Sequence, residues 1–167
     1  MKILLAGLLV SVVACGGGGG MGDDGSNTGM SSFTGMVSGA AMGNVSGTVD
    51  GTSAVTGSSG TVLAMAQPVT LPAGLRTLSM SLYFNGAITA KTYSGSDFFA
   101  AAVAASLPDL SQYGASLSSG AQGFGTVTAT ITSIDDNGVF VTVKGTVDAT
   151  MPASGSATGS ITLHLTM

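Results

Sequence analysis

The run Gly125-Thr126-Val127-Thr128-Ala129-Thr130-Ile131-Thr132 turns at Asp135-Asp136-Asn137-Gly138. It returns as Val139-Phe140-Val141-Thr142-Val143-Lys144-Gly145-Thr146-Val147-Asp148-Ala149-Thr150-Met151. These residues decide the fold class. Val127, Ala129 and Ile131 share one parity, and Thr126, Thr128, Thr130 and Thr132 share the other. In the return segment Val139, Val141, Val143, Val147, Ala149 and Met151 alternate with Phe140, Thr142, Lys144, Thr146, Asp148 and Thr150. Successive side chains of a strand point to opposite faces, so the pattern predicts two strands, each with one apolar and one wet face. Asn137-Gly138 supplies residues that accept positive φ, as a tight hairpin requires. Beyond a second turn at Pro152-Ala153-Ser154-Gly155, Ile161, Leu163, Leu165 and Met167 alternate with Ser160, Thr162, His164 and Thr166. The C-terminal third therefore reads as a three-stranded antiparallel meander.

Upstream, Leu78, Met80, Leu82 and Phe84 alternate with Thr77, Ser79, Ser81 and Tyr83, and Asn85-Gly86 predicts a hairpin into a strand over 87–93. A strand over 61–67 is expected to end at Pro68. Residues 33–37, 45–49 and 53–56 are weaker strand candidates diluted by Gly. One stretch departs from period two. Ser96-Asp97, then the Ala-rich run from Phe98 to Leu107 before Pro108, predicts a short capped helix over 97–107. Phe99, Val103 and Leu107 form its stripe, which would plug one end of the fold or form a lid over a small apolar pocket. Residues 109–123 then read as a long polar loop. Eight or nine short strands predict an antiparallel β-sandwich, with a half-open β-barrel as the alternative. Residues 32–167 have the length of a single domain.

Composition narrows the chemistry. The 167 residues include 27 Gly, 22 Ser and 20 Thr, with no Glu and no Trp. Charged residues make up 7%, where about a quarter is usual. Four Lys and Arg against eight Asp cannot neutralise a phosphate backbone, which excludes nucleic acid as the partner. One Cys excludes an internal disulfide and a cysteine-rich zinc site. One His leaves few routes to acid–base chemistry at neutral pH. No cofactor or metal is expected.

The N-terminus carries an address. Met1-Lys2 precedes the apolar run from Ile3 to Ala14, twelve residues long. A membrane span needs about 20 residues, so the run fits a secretory signal segment over 1–14. Val12-Val13-Ala14-Cys15 resembles the lipobox of bacterial lipoproteins, with Val13 where a smaller residue is more usual. That resemblance implies cleavage between Ala14 and Cys15 and lipid attachment at Cys15. It implies two or three acyl chains, enough for stable anchoring, and Gly16 after the Cys implies an outer-membrane destination. Five consecutive glycines, Gly16 to Gly20, open a Gly-rich tether assigned to 15–31. A flexible coil of about 16 residues has a typical reach of about 20–24 Å. After cleavage Arg76, Lys91 and Lys144 are the remaining cations, too few for a basic membrane-binding patch. The membrane is thus met through the lipid.

Candidate sites within the domain are few. His164 lies on a wet strand face, and the acids nearest in sequence are Asp148 and the pair Asp135 and Asp136. A Ser–His–Asp arrangement needs a nucleophile in reach, and no G-x-S-x-G elbow occurs, so an exposed strand histidine is expected. Asp135-Asp136-Asn137 offers oxygens for Ca²⁺ without the EF-hand pattern, so an Asx-rich turn is expected. Gly35, Gly39, Gly43, Gly47 and Gly51 recur every four residues. Ser38, Asn44, Ser46, Thr48 and Asp50 interrupt them, so this is no membrane-helix motif, and twisted strands or an extended tether are expected. The Thr126–Thr132 row resembles the ice-binding faces of some antifreeze proteins, although no fixed-period coil accompanies it and Thr suits any exposed strand. Tyr83, Tyr93 and Tyr113 are the candidates for a carbohydrate-stacking platform, with Tyr83 and Tyr93 expected on neighbouring strands.

The layout resembles bacterial lipoproteins that join a Cys–polyGly leader to a β-sandwich. The expectation is a lipid-anchored cell-envelope protein acting as a structural or binding module and not as an enzyme. The alternatives are a surface hydrolase or carbohydrate-processing enzyme, built on a carboxylate pair or a His-centred cleft, and an ice-binding face.

Overall fold

Ten strands make up the computed structural model, which describes residues 30–52, 60–118 and 123–167. They are β1 (Met30–Gly39), β2 (Gly43–Thr52), β3 (Val62–Thr70), β4 (Thr77–Phe84), β5 (Thr92–Ser94), β6 (Phe98–Ser106), β7 (Gln112–Ser118), β8 (Thr126–Asp136), β9 (Val141–Pro152) and β10 (Ser160–Thr166). All belong to one antiparallel sheet in the order β5-β8-β9-β10-β1-β2-β3-β4-β6-β7. The sheet curls until β7 packs against β8 and β9. There Ser116 and Phe124 exchange both backbone hydrogen bonds, at 2.7 and 2.8 Å, and Ser154 N donates to Gln112 O at 2.9 Å. The all-β fold therefore takes the half-open barrel form, with every strand in one ladder rather than in the two layers of a sandwich.

Glycine makes that curl possible. On the inward face of β1, Phe33 and Val37 alternate with Gly35 and Gly39; on β2, Val45 and Val49 alternate with Gly43, Gly47 and Gly51. Hairpin register sets large against empty: Phe33 opposite Gly47, Val45 opposite Gly35, Val37 opposite Gly43. Alternation of large and small along a strand whose own period is two yields a repeat of four. The four-residue glycine spacing is thus the interior of a narrow barrel, filled as a checkerboard. At Gly47 a Cβ would lie 3.0 Å from the Phe33 ring, and at Gly51 it would run into the Val141 carbonyl, which belongs to a strand three places away in the sheet. Around these positions close Leu63, Leu82, Ile131, Val147, Met151, Ile161 and Leu165, each at most 2% exposed.

The three-stranded meander of β8, β9 and β10 forms, with Gly138 at φ 84° in the first turn, but Val139, expected on the inward face, precedes β9 and is exposed, and the β8–β9 register shifts between Ile131 and Ser133. Four other expectations are corrected. Residues 98–106 form strand β6, not a helix, paired with β4 and β7. Pairing on both edges overrides the helix propensity of alanine, and the register shift between Tyr83 and Phe84 breaks the alternation between Phe99 and Val103. Val103 points inward at 1% exposure while Phe99 is 61% exposed, so no helical stripe exists. Ser96 caps no helix; Ser94 stands at the N-cap of a single 3₁₀ turn, Gly95–Asp97, where Ser94 N donates to Asp97 Oδ2 at 3.0 Å. Within the expected loop 109–123, residues 112–118 form β7. The strand expected over 87–93 shortens to β5, which pairs with β8 and leaves β4 to pair with β6. Strand β3 continues through Pro68 to Thr70, the pairing with β2 shifting between Ser46 and Thr48. The candidate strand 53–56 lies outside the described residues.

Two outcomes test this account. Gly35→Ala would place a Cβ 2.6 Å from Leu165 Cδ2 and closer still to the His164 carbonyl, a backbone atom that cannot swing away. Overpacking of this kind costs about 1–3 kcal/mol, read as a lower urea midpoint. Gly74→Ala, whose Cβ would meet Ala41 at 3.6 Å, is expected to change stability by less than about 0.5 kcal/mol. The second outcome concerns acid. The Ser94 N–H and then the Lys91 ammonium hold the Asp97 carboxyl below its ordinary value of 3.8, and the Ser111 N–H does the same at Asp109. Groups of lowered pKa contribute stability that is present above the unfolded value and lost as pH falls through the folded one. Asp50, raised by desolvation, acts in the opposite sense. Asp97→Asn is therefore expected to make the loss of stability below about pH 4 shallower in denaturant titrations.

Candidate functional site

The outward faces of β8, β9, β10 and β1 carry the polar residues whose partners face the core. Register aligns them in rows across the sheet. Thr126, Thr150, Thr162 and Ser38 form one row; Thr130, Thr146, Thr166 and Thr34 form another. Between them runs Thr128, Asp148, His164 and Met36. Nine hydroxyls thus border one carboxylate–imidazole pair. Strand β5 extends two rows with Thr92 opposite Thr130 and Ser94 opposite Thr128. Thr132 leaves the array at the register shift after Ile131, and its hydroxyl donates to Lys144 O at 3.0 Å.

At the centre His164 Nδ1 lies 2.6 Å from Asp148 Oδ1, with both side chains more than half exposed. A carboxylate on Nδ1 sets the tautomer, so Nε2 is the nitrogen the ring offers to a ligand. The two residues border a shallow depression of about 330 Å³ with Met36, Ser38, Thr128 and Thr162. The Ser38 hydroxyl is hydrogen-bonded to Thr162 Oγ1, not to the imidazole. The two strands beneath the pair, β9 and β10, are in register with each other, with β8 on one side and with β1 on the other, so their N–H groups serve the ladder and do not converge on an oxyanion. Among the described residues no three His, Cys, Asp or Glu side chains gather as metal ligands. Hydrogen bonding to a polar ligand is what the arrangement offers.

The structure brings together Asp148 and His164, and separates Asp135 and Asp136 from them at the β8–β9 turn. There Asp136 Oδ1 accepts Gly138 N at 2.8 Å, and Asn137 Oδ1 accepts Val139 N and Phe140 N at 3.0 and 2.8 Å. These oxygens are spent on the turn's own backbone. The tyrosine platform does not form. Tyr93 is 3% exposed, edge-on to Phe84 at 4.8 Å with its hydroxyl donating to Thr89 O, and Tyr113 is 5% exposed with its hydroxyl donating to Thr158 O. Tyr83, on β4, is half-buried and away from the short β5. The row of Thr126, Thr128 and Thr130 is present, but strands of a sheet rotate by about 20–25° relative to each neighbour, and an ice plane demands a flat match. Ala14, Cys15 and the tether to Gly29 lie outside the described residues, while Met30 and Ser31, assigned to the tether, open β1.

Pairing of His164 with Asp148 was missed in the sequence, although a signal existed: the two residues are equidistant from position 156, near the middle of the β9–β10 turn. In comparisons with known proteins the chain matches no family model, no characterised protein and no solved structure.

An exposed polar side-chain pair of this kind contributes about 0–1 kcal/mol. His164→Ala and Asp148→Asn are each expected to leave the urea midpoint nearly unchanged, which marks the pair as available for binding. A larger loss from either would make it a structural clasp.

Proposed function

We propose that the protein is a lipid-anchored module of the cell envelope, structural or binding in role, held by Cys15 and presenting the hydroxyl-rich face around His164. The observation that carries this reading is Val12-Val13-Ala14-Cys15, in which the chain's one cysteine follows a short apolar run and precedes five glycines. The fold suits such an attachment. Strand β1 begins at Met30, directly after the Gly-rich segment, and is hydrogen-bonded to β10 on one side and β2 on the other. Tension on a tether would thus load an interior strand along two ladders at once, not peel an edge strand. Among the described residues no helix is long and apolar enough to cross a membrane. A second reading, a surface hydrolase, draws on the Asp148–His164 pair and would need a nucleophile supplied to Nε2.

Growth with radioactive fatty acid is expected to label the protein, and Cys15→Ser to abolish the label. Label that persists in Cys15→Ser overturns the anchor. Protease treatment of intact cells then distinguishes a surface-facing from a periplasm-facing domain.

A further inference from the structure

The barrel has two ends, and the one from which the tether departs is not neutral. Ser31, the second residue of β1, accepts a hydrogen bond from Val143 N through Oγ at 2.9 Å. Ser31, Ser32, Ser133, Ile134, Thr142 and Val143 together line a surface depression of about 370 Å³. The tether exit at Met30 and the β8–β9 hairpin tip are therefore neighbours at one end of the barrel. At this end Val139 is 62% exposed, Met30 48% and Phe140 41%.

We propose that this hairpin tip is a second, reversible membrane contact, Val139 and Phe140 entering the lipid interface beside the anchor. The inference rests on the lipid-anchor reading. Its independent support is the backbone of the tip. A peptide group entering lipid must bring its hydrogen-bond partner with it. Here Gly138 N is satisfied by Asp136, Val139 N and Phe140 N by Asn137 Oδ1, and Asn137 N by Phe140 O. The loop thus advances apolar side chains while its donors remain paired inside it. Asp135 and Asp136 at the strand end and Lys144 on β9 are the charged groups nearest the tip, so attraction to anionic lipid does not drive the contact. Tethering makes a small apolar tip sufficient. Attachment beside the tip raises its effective concentration at the bilayer, to about millimolar for a short connection. The opposite end, where Met42 is 74% exposed in the β1–β2 turn, would then face away from the lipid.

The absence of Trp from the chain supplies the test. Residues 15–167 are coupled through the Cys15 thiol to a maleimide phospholipid in phosphatidylcholine vesicles, with and without brominated acyl chains. Flotation confirms attachment, so natural acylation of Cys15 is judged separately by the fatty-acid labelling. Phe140→Trp is expected to emit at shorter wavelength on the vesicles and to be quenched by the brominated lipid, while Met42→Trp keeps a solvent-like, unquenched emission. Val139→Ser in the Phe140→Trp background is expected to reduce the quenching. Attached protein whose Trp at position 140 is neither shifted nor quenched overturns the proposal. So does a shift that appears without lipid and tracks self-association in sedimentation, because the tip would then meet a second copy.

Discussion

The fold depends on one steric constraint: at β1 and β2 the sheet can curl this tightly only where large inward side chains face positions with none. Phe33 against Gly47 and Val45 against Gly35 satisfy it at the centre of the sheet, on strands paired along both edges. Gly51 satisfies it at the mouth, where the Val141 carbonyl approaches from β9. With methyl groups at these positions, β1 and β2 would have to flatten, and β7 would not reach the end of β9 to set Tyr113 against Ala153. Glycine lowers intrinsic strand stability by its backbone entropy, and burial of the Phe33, Val37, Val45 and Val49 side chains opposes that loss.

The same curl spreads the outward face and explains how so few charges suffice. Neighbouring hydroxyls satisfy one another across strands, Ser38 with Thr162, Thr92 with Thr130 at 3.0 Å, and Thr77 with Ser106 at 2.7 Å. Alternating Thr keeps the face wet while suiting the pleat. Against that background the Asp148–His164 pair stands out chemically, because a directed carboxylate–imidazole contact is unneeded for solubility and adds little to stability.

Much of this was legible in the sequence, and the rest was hidden for definite reasons. The β8–β10 meander was readable because long alternation coincides with Asn137-Gly138 at its turn. Strand β6 was not, because the register shift between Tyr83 and Phe84 breaks its alternation and alanine carries no face preference of its own. Strand β7 escaped because Gly114, Ser116 and Ser118 dilute its inward Tyr113 and Ala115. The glycine repeat was visible as a number but had no meaning until the registers of β1 and β2 with each other, with β10 and with β3 set each Gly opposite a large residue. His164 and Asp148 were each placed on a wet face; their contact depended on turn length, which Pro152-Ala153-Ser154-Gly155 alone understates by several residues.

The central claim, a checkerboard of large residues and glycines inside a single curled sheet, is tested most directly by solution NMR on residues 30–167. Gly47 carries its inward Hα where a Cβ would lie 3.0–3.1 Å from the Phe33 ring. That proton is expected to be displaced from the ordinary range by the ring current, with cross-strand contacts from Gly35 to both Val45 and Leu165, and Phe33→Leu is expected to return the shift to that range. An unshifted Gly47, or a break between β1 and either β10 or β2 that divides the strands into two separate ladders, would contradict the account.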